Sequence, residues 1–450
     1  MQPHLTTSPT RNRVAVALDN FTRWLEAYGE TSWDHQSFFA GSVGRFAKGL
    51  YYKNKLLGTV AVGPMIVCEA FVPAARRLFH HRTRFPIADA HYAMGFAFLY
   101  EATGNAAYLE KAVHFLEMLE ETRSRGFKEH CWGYPFDWVT RNGMLASHTP
   151  FITTTPYVFE AFQQVFGLVQ HNGPLSSDRY PLERQNEWRS ILASITRHAT
   201  TDIKDQPFPG GGNTCSYMPG VEFNVVNAAA YRATMLVSAA KYFGDDQLLN
   251  IAKGNVDFVL AAQNADGSWP YAKDGVRDFV DHFHTCFVMK ALAKIHALTG
   301  EQRILDALKR GVDYYVKNLF GEDGMPRPFS KAPRLTVYKC ELYDCAECIN
   351  LCLLLRKHVP ALENTLETVV TGILANWVKP DGSFRSRKLI FGWDNVPMHR
   401  WAQSQMFRSL AFYLQETSKS EKSEAEGVEL KIGAIGSSQV RVIGQLPTTI

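Results

Sequence analysis

The sequence predicts an all-α fold, a closed ring of helical hairpins followed by a short C-terminal tail. Three observations predict it. Apolar residues recur at three- and four-residue spacing through most of the chain, with almost no alternating strand pattern. A glycine-ended phrase returns: LYEATGN at 99–105 is echoed by AKYFGD at 240–245 and HALTGE at 296–301, with a fainter copy, QVFG, at 164–167. A second kind of turn alternates with it, longer and rich in aromatics: CWGYPFDW at 131–138, DGSWPY at 266–271, EDGMPRPF at 322–329 and PDGSF at 380–384. Gly267, Gly324 and Gly382 are spaced by about 57 residues, which is two helices and two turns.

Residues 1–12 are polar, carry Pro3 and Pro9, and are expected to be disordered. The ring domain then runs over 13–416. Val14 to Tyr28 reads as a helix with Phe21, Trp24 and Leu25 on one side, and Ser37 to Leu57 as a second. The weakly charged run Leu56 to Pro73 holds Gly58, Gly63, Pro64 and Glu69. That is expected to be a buried helix pair turning at Gly63-Pro64 and not a membrane span. Asp89 to Leu99 and Tyr108 to Leu119 are clear helices flanking a stop at Gly104. Six to seven hairpins fit between Val14 and Leu414. A hairpin cannot bury both faces alone, so the hairpins must stack, and every long turn then falls at one end of the stack. After Thr417 the composition changes: 418–427 reads as a charged linker and Val428 to Val442 as weak strands or an unstructured tail.

Hydrophobic residues make up 46% and charged residues 20%, the profile of a globular protein with a large core. The net charge of +4 and the lack of a basic stripe with interleaved aromatics exclude a nucleic-acid partner. The N-terminus has no signal-peptide core. With eight cysteines in no disulfide-type spacing, that predicts a cytoplasmic chain with reduced thiols. Cys345, Cys348 and Cys352 fall on one helix face beside Cys340, which reads as packing and not as a metal site. No metal and no cofactor is expected, and a homo-oligomer is left open.

The doubled-helix phrasing with DGSW turns resembles the six-hairpin, (α/α)6-toroid glycosidase-like superfamily. GYPFDW at 133–138, DGSWPY at 266–271, VDHFHT at 280–285 and RWAQSQMF at 400–407 together resemble bacterial proteins tied to polysaccharide biosynthesis. The resemblance covers residues 45 to 415. It implies an (α/α)6 toroid and a sugar or uronate-containing saccharide as ligand at the long-turn mouth.

The candidate residues cluster in the long turns. Trp132, Tyr134, Trp269, Tyr271, Trp393 and Trp401 offer aromatic faces to a sugar ring, and Asp137 could orient hydroxyls or act as acid or base. The stretch PGGGNTCSY at 209–217 has neither the lysine nor the preceding strand of a phosphate loop. It reads as a loop lining the site through Asn213 and Tyr217. Asn224 is expected to cap a helix and Asn227 to face the cavity. Asp281 and His284, three apart at a helix start, form a carboxylate–imidazole pair. Tyr343 and Asp344 enter the next inner helix. His399, Arg400 and Gln403 enter the last, where the Arg400 fork would suit a carboxylate.

Two chemistries compete. Glycosidic hydrolysis would draw two carboxylates from Asp137, Asp281, Asp344 and Asp394. Epimerisation or β-elimination would use His284 with Tyr217 or Tyr343, while Arg400 holds the substrate carboxylate. A non-catalytic sugar-binding or scaffold protein is the other class. Terpene cyclisation, suggested only by the DGSW turn, lacks an acidic cluster at the long-turn end.

Overall fold

The computed structural model describes residues 9–171, 180–220, 223–333 and 336–420. The expected tail strands at 428–442, and residues 1–8, lie outside the described residues. Residues 9–12, expected to be disordered, form the first turn of a helix, Pro9–Tyr28, with the proline at its start. Proline lacks the N–H that a first turn leaves unpaired anyway.

Six helices are buried on nearly all sides: Pro86–Thr103, Thr155–His171, Val226–Phe243, His282–Thr299, Leu342–Leu355 and 404–420. Six more bury a single stripe: Pro9–Tyr28, Ala106–Glu121, Leu182–Arg197, Asp246–Ala261, Gln302–Asn318 and Leu362–Asn376. In Gln302–Asn318 the stripe is Ile304, Ala307, Leu308, Gly311, Val312 and Tyr315, the spacing of one helical face. The first set forms an inner ring and the second an outer ring.

The repeated glycine phrase is a helix stop made three times. Gly104, Gly244 and Gly300 stand at φ of +71°, +70° and +70°. Each N–H returns to a carbonyl of the last turn, of Tyr100, Ala240 and His296 respectively. Only glycine holds this left-handed conformation without strain. After two of these stops a side chain opens the next helix: Asn105 accepts from the Ala107 N–H (3.1 Å) and Asp245 from the Gln247 N–H (3.0 Å).

The ring closes through its ends. Pro9–Tyr28 is the outer partner of the last inner helix, with Phe21 stacked on Phe407 (5.2 Å) and Phe384 (5.2 Å). Across the seam Phe98 stacks on Phe412 at 4.8 Å, and Gly95 lets the first inner helix approach the Phe407 ring. A closed ring needs no capping repeat.

Short strands join the long turns to one another. Val280–Asp281 pairs with Phe329–Lys331, and Tyr338–Glu341 pairs with Arg387–Leu389, which also pairs with Trp393–Asp394. Trp138–Thr140 and Gly143–Leu145 form a hairpin, as do Asp205–Pro207 and Asn213–Cys215. The sequence carries almost no sign of these pieces because two to four residues are too few to set up an alternating pattern.

Two expectations fail between the first outer and first inner helices. The helix expected over 37–57 is broken into Ser37–Ala40 and Ser42–Lys53. It ends at Asn54, whose side chain caps Lys55–Phe71 by accepting from the Leu57 N–H (3.1 Å). No turn forms at Gly63-Pro64: Pro64 lies inside Lys55–Phe71. Nor is the pair buried. Only Phe38, Ala47 and Met65 form a small core beneath it, apart from the main one, and its other face is exposed. The pair is an insertion outside the ring, so no second layer of helices covers it. Among the described residues no helix is long and apolar enough to cross a membrane.

Candidate active site

Each long turn leads from an outer helix into the next inner one, so the inner helices all begin at the long-turn end. Residues near those starts and in the turns enclose a cavity of about 630 Å³, which narrows into a recess of about 60 Å³. Tyr134, Trp138, Tyr271, Phe279, Phe283 and Trp401 make an aromatic wall. Thr153, Tyr157, Asn227 and Tyr343 line the recess, and His284, Tyr217 and Arg400 border both spaces.

His284 is placed by the helix it sits on. Asp281 is the N-cap of His282–Thr299, its extended backbone breaking the helix before the first turn. One carboxylate oxygen accepts the His284 backbone N–H at 3.0 Å. The other meets the ring Nδ1 at 2.6 Å. An ionised carboxylate only accepts, so Nδ1 carries a proton, and in the neutral ring Nε2 then presents the lone pair. No described residue pairs with Nε2, and the side chain is 20% exposed in a cavity wall. The Tyr271 ring, edge-on at 4.6 Å, fixes the imidazole plane.

Facing groups complete the recess. Burial raises the Tyr343 phenol well above its ordinary range, with Tyr157 and Glu347 adding to the effect, so it stays protonated as a donor. The Asn227 side-chain oxygen is buried without a partner. Tyr217 accepts from the Thr153 hydroxyl at 3.2 Å.

Arg400 enters through a π-helical turn, His399–Gln403, which opens the last inner helix and gives it one extra residue per turn there. Its Nε and one Nη bind the Asp34 carboxylate at 3.0 and 2.7 Å, and the Tyr134 ring lies 4.5 Å away. Burial works to raise the Asp34 carboxyl, but the Arg400 guanidinium outweighs it and holds it well below the usual carboxylate range. The pair is therefore ionic. Arg141 and Arg277 also line the mouth, as does Asp274, which accepts from Arg277 Nε at 2.6 Å. With the positive ends of the inner helices near it, the cavity favours an anionic ligand.

No family model matches the sequence, and no curated protein matches it. Solved structures do. One is cellobiose 2-epimerase from Bacillus thermoamylovorans B4167: 10% identical, TM-score 0.56, covering 75% of this chain and 88% of that one. An unsaturated glucuronyl hydrolase specific for heparin gives 10%, 0.57, 92% and 98%. A D-mannose isomerase gives 14%, 0.53, 75% and 88%.

The fold is an (α/α)6 toroid, shared with these solved structures.

At the mouth of the toroid the structure brings together Tyr134, Tyr217, Asn227, Tyr271, His284, Tyr343, Arg400 and Trp401, with Asp281 behind His284. The remaining candidates lie elsewhere. Trp132 and Trp269 are core plugs, each donating its indole N–H to an outer-helix carbonyl, of Leu119 (2.7 Å) and Val259 (2.9 Å). Asp137 holds a turn by accepting from the Ser147 N–H (3.0 Å) and faces Arg45 at 3.4 Å. Asn213 is in a strand, where its carbonyl accepts from Asn255. Asn224 is not a cap: it takes a φ of +67° and donates its N–H to Thr214 (2.8 Å).

Asp344 is fully buried outside the cavity lining, and neither of its oxygens has a partner. Burial, with Glu341, raises its pKa well above the usual range and keeps it neutral. Asp394 is locked to Arg76 at 2.6 Å. Trp393 packs edge-on against Trp377. His399 bridges Tyr92 (2.5 Å) and the Gly29 carbonyl (3.0 Å), and burial pushes its pKa down to about 3. Gln403 binds both backbone groups of Phe384.

Sequence reasoning missed His35, Arg141, Asp274, Arg277 and Phe283. Asp274 and Arg277 stood inside the DGSWPY–VDHFHT stretch, and their three-residue spacing across Gly275 was a readable turn signal. His35 gave none, because it comes from the insertion. It packs on Trp401 at 4.6 Å, and burial holds its pKa well below the ordinary value. Among the described residues no group of three or more His, Cys, Asp or Glu side chains is placed to hold a metal.

Proposed function

We propose that this chain is a carbohydrate-active enzyme of polysaccharide biosynthesis that moves a proton on a uronate-containing saccharide, by epimerisation or β-elimination. The observation that carries the reading is the Asp281–His284 pair, whose unpartnered Nε2 stands in an aromatic, cation-lined cavity. Aromatic faces suit the C–H side of a sugar ring, and the arginines suit its carboxylate. His284 Nε2 takes the proton on the carbon next to the carboxylate. In epimerisation the Tyr343 or Tyr217 hydroxyl returns a proton to the opposite face. In elimination it protonates the departing oxygen as the C–O bond breaks.

Hydrolysis is less well served. Of Asp137, Asp281, Asp344 and Asp394, none lines the cavity wall, and a two-carboxylate mechanism needs both flanking the bond. Arg400 has a smaller role than its fork suggests, since two of its nitrogens are committed to Asp34. It orients Tyr134 and Trp401. Arg277 is likewise held, by Asp274, so Arg141 at the mouth is the better carboxylate clamp.

The test is a screen of sugar nucleotides and uronate oligosaccharides in deuterated water, read by mass spectrometry. Deuterium uptake without fragmentation marks epimerisation, and an unsaturated fragment marks elimination. Fragments that have gained water would sink the proposal in favour of hydrolysis. Binding with no exchange would sink it in favour of a sugar-binding module.

A further inference from the structure

The insertion hairpin carries a surface that the catalytic reading does not use. Eleven of the twenty large apolar side chains exposed among the described residues fall between Val43 and Leu78. Along Lys55–Phe71 the exposed face reads Leu56, Val60, Val67 and Phe71, spaced by four, seven and four residues, one stripe of a helix. On Ser42–Lys53, Val43 and Phe46 are exposed as well. Leu56 is 78% exposed and Val60 and Phe46 73% each, far beyond the scattered apolar residues of an ordinary surface.

The hairpin's own charges are mainly basic, and of them Arg45 is answered by Asp137 at 3.4 Å. Residues 41–72 contain Arg45, Lys48, Lys53 and Lys55 against a single acid, Glu69, which accepts from Arg387 at 2.7 Å. Lys53 and Lys55 sit at the exposed tip of the hairpin, and Arg77 lies just beyond its end. The long helix spans about 25 Å at the usual rise per residue, too short and too interrupted by Pro64 to cross a bilayer. The two helices also pack closely beside their turn. Gly58 lies so close to the Tyr51 backbone that a Cβ there would stand 2.0 Å from its Cα, so the two helices touch beside the turn.

We propose that the hairpin 42–72 seats the protein on an anionic lipid bilayer. Its apolar stripe lies in the interfacial layer, and its lysines meet the headgroups. A protein partner would need acids to answer the lysines around an apolar centre. A bilayer with anionic lipids offers both layers at the right depth. Tyr52 of the same hairpin lines the cavity, so the mouth opens beside the docked face. Where the proton-transfer reading above also holds, the substrate would be a saccharide carried on lipid. The docking inference itself does not depend on that reading.

The experiment is co-sedimentation of the full chain with phosphatidylglycerol–phosphatidylcholine vesicles and with pure phosphatidylcholine vesicles, alongside light scattering of the protein alone. The expected result is binding to the anionic vesicles, at least tenfold weaker on the neutral ones and weakened by salt. The triple substitution Leu56→Gln, Val60→Gln, Val67→Gln, at exposed positions, should cut binding at least tenfold, and Lys53→Glu with Lys55→Glu should do so as well. As an independent reading, Phe71→Trp should shift its fluorescence to the blue on anionic vesicles. Absence of vesicle binding, binding indifferent to the triple substitution, or a dimer that the triple substitution dissolves would each overturn the proposal. None of these readouts uses turnover, so failure here is distinct from failure of the proposed reaction.

Discussion

At His284 a single carboxylate performs two tasks: it ends the run of unpaired N–H groups at a helix start and it fixes an imidazole tautomer. These can be separated. Asp281→Asn keeps an oxygen for the cap, so stability should change by less than about 1 kcal/mol. It removes the negative charge behind Nδ1, and turnover on a substrate found by the screen should fall about a hundredfold or more. Thermal melts and initial rates on the same variant check both halves. His399 makes a different kind of prediction. Its folded pKa, about 3, lies below the unfolded value of about 6.5. The unfolded chain therefore binds the proton first as pH falls. The stability from keeping His399 neutral is fully present above about pH 6.5 and is lost progressively toward pH 3, on the order of 5 kcal/mol in all. Urea unfolding at pH 7 and pH 4.5 should show a larger acid loss for the wild type than for His399→Gln. Equal losses would contradict the assignment.

At the scale of helices and their junctions, close approach is the main determinant. A Cβ at Gly95 would stand 2.6 Å from the Phe407 ring and 3.3 Å from the Arg408 Cα. Phe407 is fully buried and held by Phe21 and Phe96, so it cannot move aside. Gly95→Ala should cost about 1–3 kcal/mol. Phe407→Leu in the same chain should recover part of that, which a double-mutant cycle of denaturation midpoints would read. The Asp34–Arg400 pair ties the insertion to the start of the last inner helix, with both side chains buried. Asp34→Ala leaves a buried guanidinium without its partner and should cost about 3–5 kcal/mol, measured by chemical unfolding. Arg400→Lys should not rescue function, because an ammonium cannot reproduce the two-pronged contact.

For the molecule as a whole, the repeat was readable because it is written in backbone chemistry. Gly104, Gly244 and Gly300 each need a left-handed backbone, and a sequence states that need directly. The grouping of long turns at one mouth followed from the alternation of turn types. Side-chain destinations were less legible. Trp132 and Trp269 look like sugar platforms in sequence, yet a turn aromatic can swing outward to a ligand or inward to an outer-helix carbonyl, and both went inward. The partner of Arg400 lies 366 residues away, beyond any spacing rule. The π-helical turn at His399–Gln403 has no local signature, so a sequence does not show that His399 and Gln403 bond inside the core and not at the cavity wall. The apolar run at 56–73 was read as buried because apolar residues usually are, and nothing in a sequence reveals that the ring leaves it uncovered.

The central claim is that Nε2 of His284 is the base of a proton transfer on a sugar. Its most direct measurement is deuterium uptake at the substrate carbon, compared between wild type and His284→Gln at matched melting temperature. The account predicts exchange in the wild type and a loss of about a hundredfold to ten-thousandfold in the variant. Equal exchange rates in the two proteins would contradict it.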